Sequence, residues 1–307
     1  MRRVALLSVL ATLLAIPALV VARNGNAPVV SEEAARTYRD IEATLGMVPS
    51  FLRMFPENAI AGAWEQMKAV QLNPNSAIPA KYKELIGLGV AAQVPCRYCA
   101  YFHTEAARLN GASDEEIKEA VAQAAITRHW ATYFNGMKTD PSTFRNDVEL
   151  ISQNLRARRG DRAPPRNIEV TDTASAYRDI EQSFGFLPAF IKEFPKEALP
   201  GAWKELKAVE FNPEGAVPGR YRSLISLAVA AQVPCNYCVE IDTVMATRVE
   251  GASTREIEEA VMMAAIVRHW STYLNGLQVD ETRFKRETDQ LMKILRQKKA
   301  AKSAMVP

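Results

Sequence analysis

Residues 84–103, ELIGLGVAAQVPCRYCAYFH, decide the fold of this chain. The first half is almost continuously apolar, as expected of a buried helix, and a proline then stands directly before the first of two cysteines. Proline disfavours helix in the residue before it and is common where a helix begins. We therefore predict one helix from Ala80 to Val94 and a second from Pro95 to Leu109.

On the second predicted helix, Cys96, Cys99 and His103 lie at positions i, i+3 and i+7 and so share one face. A cysteine in the first turn feels the positive end of the helix dipole, and an imidazole one turn after Cys99 can accept its proton. Both effects favour the thiolate, which is the nucleophilic form. Glu84, on the preceding helix, can hold the imidazole in one tautomer. The constellation indicates redox chemistry.

The pattern Glu-x11-Cys-x2-Cys-x3-His, followed by NGASDEEIKEAV, resembles the alkylhydroperoxidase D (AhpD)-like members of the carboxymuconolactone decarboxylase superfamily. The resemblance implies a thiol-dependent peroxidase or a related disulfide oxidoreductase. It makes Cys99 the peroxidatic thiolate and Cys96 the thiol that resolves the sulfenic acid, with His103 and Glu84 as a proton relay. The best-known members carry a histidine between the cysteines, where this chain has Tyr98.

The resemblance also implies partners. These are a hydroperoxide substrate and a thiol reductant protein of the thioredoxin-like or lipoyl type. We expect a homo-oligomer, no cofactor and no metal. Two other enzymatic or structural readings stay open: a carboxymuconolactone decarboxylase-type lyase, whose members act without a cysteine pair, and a non-catalytic helical scaffold stapled by disulfides.

Metal binding is a further alternative for the cysteine pair. Two cysteines with His103 and Glu84 make four potential zinc ligands, although structural zinc more often binds to loops or knuckles than to a helix start. Covalent haem attachment requires a histidine directly after the second cysteine, where Ala100 stands.

The chain is a tandem repeat. Residues 85–99 and 224–238 are identical at twelve of fifteen places with an offset of 139, and the offset becomes 140 after the cysteines. One residue is therefore inserted between Asp242 and Gly251. No segment alternates strictly between apolar and polar residues, so we predict an all-α protein of two AhpD-like domains, residues 31–160 and 167–299. Residues 162–166, RAPPR, form a short stiff linker.

The second repeat departs from the first at the candidate site. It keeps Cys235 and Cys238, but Ser223 replaces the glutamate and Asp242 replaces the histidine. We therefore predict that the first repeat carries the active site. The second cysteine pair is a structural disulfide, a slow secondary redox pair or a relic.

Aromatic residues that recur in both repeats are predicted to form the core, with one or two lining a substrate pocket. RHW segments also occur in both repeats, and we expect their histidines to pack against the adjacent tryptophan rather than react. The recurring aromatic residues are Phe51, Phe55, Trp64 and Tyr82, and the RHW histidines are His129 and His269.

Composition excludes several classes of protein. Hydrophobic residues make up 48% and charged residues 24% of the 307 residues, a balance typical of soluble globular proteins. The net charge of +3 is too small to favour nucleic acid as a partner. All four cysteines lie in CxxC pairs, which argues against a scaffold of disulfides spread through loops.

The N-terminus reads as an export signal. Arg2 and Arg3 precede an uncharged run from Val4 to Ala22, which ends in small residues. Residues 1–22 are thus a signal peptide or a membrane anchor, and we expect the protein to be periplasmic or anchored facing outward. In such an oxidising compartment, the cysteines rest as a disulfide unless a dedicated donor reduces them.

Overall fold

The computed structural model describes residues 30–158 and 168–304, and within these ranges every regular element is a helix. The all-α prediction is confirmed. The predicted signal segment and linker lie outside the described residues. None of the helices described is both long and apolar enough to span a bilayer. The first repeat contains α1 (Glu32–Leu45), α2 (Ser50–Arg53), α3 (Ile60–Ala69), α4 (Ala80–Gln93), α5 (Arg97–Leu109), α6 (Asp114–Met137) and α7 (Pro141–Arg158).

The second repeat has the same order of elements. It contains α8 (Thr173–Phe184), α9 (Ala189–Lys192), α10 (Leu199–Val209), α11 (Gly219–Gln232), α12 (Asn236–Val244), α13 (Thr254–Gly276) and α14 (Glu281–Ala304). Between α12 and α13, the helix continues as a π-helical turn, Met245–Val249. This turn lies where the offset between the repeats changes from 139 to 140. A π-helical turn accommodates one extra residue in a helix, so it accounts for the insertion.

Local sequence signals set the helix ends. The Ser31 hydroxyl accepts a hydrogen bond from the backbone of Ala34, and Gly46 ends α1 in the left-handed conformation. A serine–glutamate capping box begins both α6 and α13. Helix α6 was expected to end near Trp130 but continues to Met137, because Trp130 and Phe134 recur at helical spacing on its buried face.

The repeats pack about an approximate twofold axis, because their contacts occur in equivalent pairs. Tyr82 and its counterpart Tyr221 stack on each other with ring centroids 3.6 Å apart. The Glu259 carboxylate accepts two 2.9 Å hydrogen bonds from backbone N–H groups before α4. Glu119, its counterpart, caps the same backbone before α11. Such reciprocal pairing is the mark of a self-complementary interface, here within one chain.

Each repeat contributes to the hydrophobic core of the other. Trp130, from α6, packs against Phe194 of the second repeat, with ring centroids 5.0 Å apart. Reciprocally, Phe55 packs against Trp270 from α13, with ring centroids 5.2 Å apart. The residue ranges 31–160 and 167–299 therefore describe sequence repeats whose cores are shared across the twofold axis.

Candidate functional site

The cysteine pair of the first repeat lies where α4 ends and α5 begins. Cys96 is the N-cap of α5, and its sulfur accepts a 3.2 Å hydrogen bond from the backbone N–H of Cys99. The two sulfurs form a disulfide, and both residues are buried. An N-cap sulfur next to free helix N–H groups is a position that stabilises a thiolate after reduction.

A buried histidine–carboxylate pair stands one turn further along α5. The Nδ1 atom of His103 lies 2.7 Å from a carboxylate oxygen of Glu84, on α4. Gln71 donates to the same carboxylate at 3.1 and 3.3 Å. A carboxylate that accepts from Nδ1–H leaves Nε2 as the basic nitrogen of the ring, so the pair fixes the tautomer that can take up a proton. We call Gln71, Glu84, Cys96, Cys99 and His103 site 1.

The absence of a side chain at Gly87 leaves room for the His103 imidazole. A Cβ atom at residue 87 would lie 2.6 Å from two atoms of the His103 ring, closer than real Cβ contacts come. Glycine is therefore required on this turn of α4 by the ring that packs against it.

Site 1 opens into an apolar cavity of about 110 Å³. Cys99, His103 and Glu84 line it, whereas Cys96 does not, so a ligand in the cavity meets the sulfur of Cys99 first. The other walls are mainly aliphatic and aromatic. The second repeat supplies many of them, including Ile266, Trp270, Leu274, Phe284, Leu291 and Met292.

The cysteine pair of the second repeat is built in the same way. Cys235 is the N-cap of α12 and accepts a 3.2 Å hydrogen bond from the N–H of Cys238, to which it is bonded. Cys238 lines a separate, mainly apolar cavity of about 80 Å³ that includes walls from α6 and α7. The polar groups here differ from those of site 1. We call Gln123, Glu210, Ser226, Cys235, Cys238 and Asp242 site 2.

Site 2 contains two carboxyl groups. Asp242 is buried at the position of the first repeat's histidine, and its Oδ2 atom has no hydrogen-bond partner. Burial raises the pKa of Asp242 well above its ordinary value, and the nearby Glu210 carboxylate raises it further. Burial also raises the pKa of Glu210, against the lowering effects of the Gln123 hydrogen bond and of Arg222.

Four polar residues of sites 1 and 2 were not identified from the sequence: Gln71, Gln123, Glu210 and Ser226. Gln71 and Glu210 lie on the segments that follow α3 and α10, and Gln123 reaches site 2 from the other repeat. The offset of 139 makes Glu210 the counterpart of Gln71, so identifying either one would have indicated the other. The repeat gives no such indication for Gln123, because its proximity to site 2 depends on the packing of the two repeats.

Tyr98, which stands where the resemblance leads one to expect a histidine, has a structural contact. Its hydroxyl donates a 2.6 Å hydrogen bond to the carbonyl of Val279 in the second repeat. Tyr237 makes the equivalent bond to Thr139. Each tyrosine thus ties a cysteine-bearing helix to the opposite repeat.

The remaining predicted residues fall into two groups. Phe51 lines the site 1 cavity, Trp64 is buried in the core, and Phe55 packs against Trp270. The two RHW histidines are exposed, with ring centroids 5.6 and 5.2 Å from the adjacent tryptophan rings. Within residues 30–158 and 168–304, no group of three or more His, Cys, Asp or Glu side chains is arranged to hold a metal ion.

The family profile of carboxymuconolactone decarboxylases matches the chain twice, at residues 58–138 and 197–282, which together are more than half of its length. The chain belongs to the carboxymuconolactone decarboxylase family. Each match lies within one of the two repeats and contains its cysteine pair. Members of this family are enzymes, and membership supports peroxidase-like or decarboxylase-like chemistry at the level of the superfamily.

Two individual proteins extend this comparison. The chain is 36% identical over 64 residues to a protein of Paracoccus denitrificans described as uncharacterized protein 4 in the cox locus. That match covers 21% of this chain and 58% of the relative. A crystal structure of a candidate gamma-carboxymuconolactone decarboxylase subunit from Burkholderia xenovorans LB400 matches with a TM-score of 0.51. The two chains are 14% identical, and the match covers 83% of this chain and 98% of the other chain. This likeness shows that the two chains share a fold.

Proposed function

We propose that this member of the carboxymuconolactone decarboxylase family is a thiol-dependent hydroperoxidase or disulfide oxidoreductase that works at site 1. The observation that carries the proposal is the 2.7 Å contact between His103 and Glu84, buried one helical turn from Cys99 in an apolar cavity. A thiol, a base and a carboxylate that orients the base are the parts that nucleophilic thiol chemistry requires. The cysteine pair argues against the lyase alternative, whose members act without one.

The peroxide step uses the reduced pair. The Cys99 thiolate attacks the terminal oxygen of a hydroperoxide, the O–O bond breaks, and the departing alkoxide takes the proton held by His103. The products are the sulfenic acid of Cys99 and an alcohol. The Cys96 thiol then attacks the sulfenic sulfur, which releases water and forms the disulfide. An external dithiol reduces this disulfide and is itself oxidised.

The cavity favours an organic substrate. Its walls are mainly aliphatic and aromatic, while Gln71, Glu84 and His103 form one hydrogen-bonded polar group among them. This arrangement suits a small alkyl or aryl hydroperoxide, whose carbon end occupies the apolar part while the O–O group meets the sulfur.

The proposed location is outside the cytoplasm, on the basis of the apolar segment at residues 4–22. There the pair rests as a disulfide, and the proposed reductant is a thioredoxin-like protein. A Cys99→Ser chain leaves the Cys96 thiol free to trap such a partner as a mixed disulfide. Recovery of the full-length precursor from the cytoplasm, crosslinked to a lipoyl protein, would overturn the proposed location.

The activity is tested with the full chain, dithiothreitol as reductant and cumene hydroperoxide as oxidant. We expect Cys99→Ser to abolish hydroperoxide-dependent oxidation of dithiothreitol and the matched substitution Cys238→Ser to leave most of it, because Asp242 provides no neutral base for its cysteine. Equal losses from both substitutions would contradict the assignment to site 1, and no turnover in the unsubstituted chain would contradict the function.

A further inference from the structure

Site 2 differs from site 1 in most of the polar residues around the cysteine pair. The histidine is replaced by Asp242, the glutamine by Glu210 and the glycine by Ser226, while Ser223 replaces the glutamate. By the offset of 140, Gln123 corresponds to Met263 of the second repeat. Thus site 2 has lost the His–Glu pair and gained a different pair of ionisable groups.

The new residues contact one another. The Gln123 amide donates hydrogen bonds to Ser226, at 2.5 Å, and to Glu210. Ser226 is the counterpart of Gly87. At Gly87 the His103 imidazole leaves no room for a Cβ. Asp242, which replaces that histidine in the second repeat, is smaller than an imidazole, so residue 226 can carry a side chain. Buried carboxyl groups destabilise a fold unless they are protonated or paired, so random decay of a catalytic site would not be expected to add one.

We propose that site 2 is a second, working thiol–disulfide exchange site, in which the Asp242 and Glu210 carboxyl pair replaces histidine and glutamate as the proton carrier. Its substrate class is a thiol or dithiol reductant, and its role is to accept electrons into the Cys235–Cys238 disulfide. Cys238 and both carboxyl groups line one cavity, and Asp242 follows Cys238 by one helical turn. The proposal does not depend on peroxidase activity at site 1.

Reduction at site 2 takes two exchange steps. An incoming thiolate in the cavity attacks the Cys238 sulfur, the Cys235–Cys238 bond breaks, and Cys235 departs as a thiolate at the N-cap of α12, where its sulfur accepts a hydrogen bond from the N–H of Cys238. The second thiolate of the reductant then attacks its own sulfur in the mixed disulfide and releases Cys238 as a thiolate, which takes the proton of the Asp242 carboxyl. One dithiol is oxidised to a disulfide, and one protein disulfide is reduced to a dithiol.

The charges around the carboxyl pair keep a proton available. Glu210, on the segment after α10, is the charged group that acts on Asp242. Arg222 of α11 and Glu250 act in turn on Glu210, with opposite signs, and Arg222 is itself paired with Glu119 of α6. Because burial raises the pKa of Asp242, its carboxyl keeps its proton to a higher pH than the carboxyl of an ordinary aspartate does.

The test isolates site 2 in a full chain that carries Cys96→Ser and Cys99→Ser. The Cys235–Cys238 disulfide is reduced with dithiothreitol, and the freed thiols are counted by alkylation and mass spectrometry over time. We expect Asp242→Asn to slow reduction by about 10²-fold, the scale of general acid catalysis, and Asp242→Glu to recover most of the rate. A wild-type rate in Asp242→Asn, or equal losses in Asn and Glu variants, would overturn the proposal.

A measurement on unsubstituted site 2 guards against misfolded variants. The reduction rate is divided by the concentration of dithiothreitol thiolate at each pH. This quotient should fall as pH rises through the titration of the carboxyl pair, because the proton donor is lost. A quotient that does not change between pH 5 and pH 9, or a disulfide that dithiothreitol never reduces in the folded chain, would refute the proposal whatever happens at site 1.

Discussion

Replacing Gly87 by alanine tests whether the position of the His103 ring governs site 1. The added Cβ would lie 2.6 Å from the ring atoms Cε1 and Nδ1, whereas ordinary contacts begin at 3.4 Å. The ring must therefore move by about 0.8 Å. Since Nδ1 is also the atom that contacts Glu84 at 2.7 Å, the displacement breaks or distorts that hydrogen bond.

The expected effects on stability and on activity differ in size. Overpacking a core position costs about 1–3 kcal/mol. Exchanging glycine for alanine inside a helix returns about 1 kcal/mol. The net loss of about 0–2 kcal/mol leaves a domain of ordinary stability folded. Misplacing a catalytic group by about 1 Å lowers the rate by about 10²-fold, so we expect kcat/KM to fall by that factor.

The assay is hydroperoxide-dependent oxidation of dithiothreitol, with thermal unfolding measured in parallel. Gly62→Ala on α3 is the matched control, because nothing lies within 4 Å of its added Cβ. This control should keep full activity and gain stability on the order of 1 kcal/mol. Full activity in Gly87→Ala, or the same loss in both variants, would refute the argument that the ring needs the glycine.

Three further predictions use single substitutions. His103→Asp should raise the pKa of the Cys99 thiol, because a carboxylate repels a thiolate; an alkylation-versus-pH curve identical to wild type would contradict the proton relay. Trp270→Phe should raise KM for cumene hydroperoxide, because this second-repeat side chain lines the site 1 cavity. The control Trp130→Phe changes the site 2 cavity and should leave KM unchanged. Equal shifts in KM would refute the assignment of Trp270 to the substrate cavity. Asp242→Asn should flatten the pH dependence of stability. Burial raises the pKa of Asp242 in the folded chain, so the folded chain binds the extra proton and wild-type stability falls as pH rises from the unfolded value of about 3.9 through the folded one. Urea unfolding between pH 4 and pH 8 measures this, and parallel curves for the two proteins would exclude a titrating Asp242.

The parts of the fold that follow from local signals were predictable from the sequence. The proline before Cys96 and the serine–glutamate capping boxes mark helix ends through interactions within a few residues. The i, i+3, i+7 spacing likewise places the cysteines and His103 on one helix face. The inserted residue near Asp242 was visible as a change of offset, although its structural form, a π-helical turn, was not.

The parts that depend on packing between the repeats were not predictable. Part of the wall of the site 1 cavity comes from α13 and α14, which lie more than 150 residues from His103 in sequence. No local sequence pattern encodes that contact. Gln123 is a similar case, because its segment reads as an ordinary Ala-rich helix until the second repeat packs against it. The contact of Tyr98 with Val279 also crosses between repeats, so its anchoring role was hidden.

The shared architecture explains how one repeat can change its chemistry while keeping its shape. Helices α13 and α14 close the cavity of site 1, so the second repeat must retain the family fold for the first to work, whatever its own cysteines do. The side chains inside site 2 carry no such constraint. In a symmetric dimer of identical subunits, every substitution would alter both sites at once. Fusion of the two copies removes that restriction, and so Asp242 and Glu210 can occupy one site while His103 and Glu84 are kept in the other.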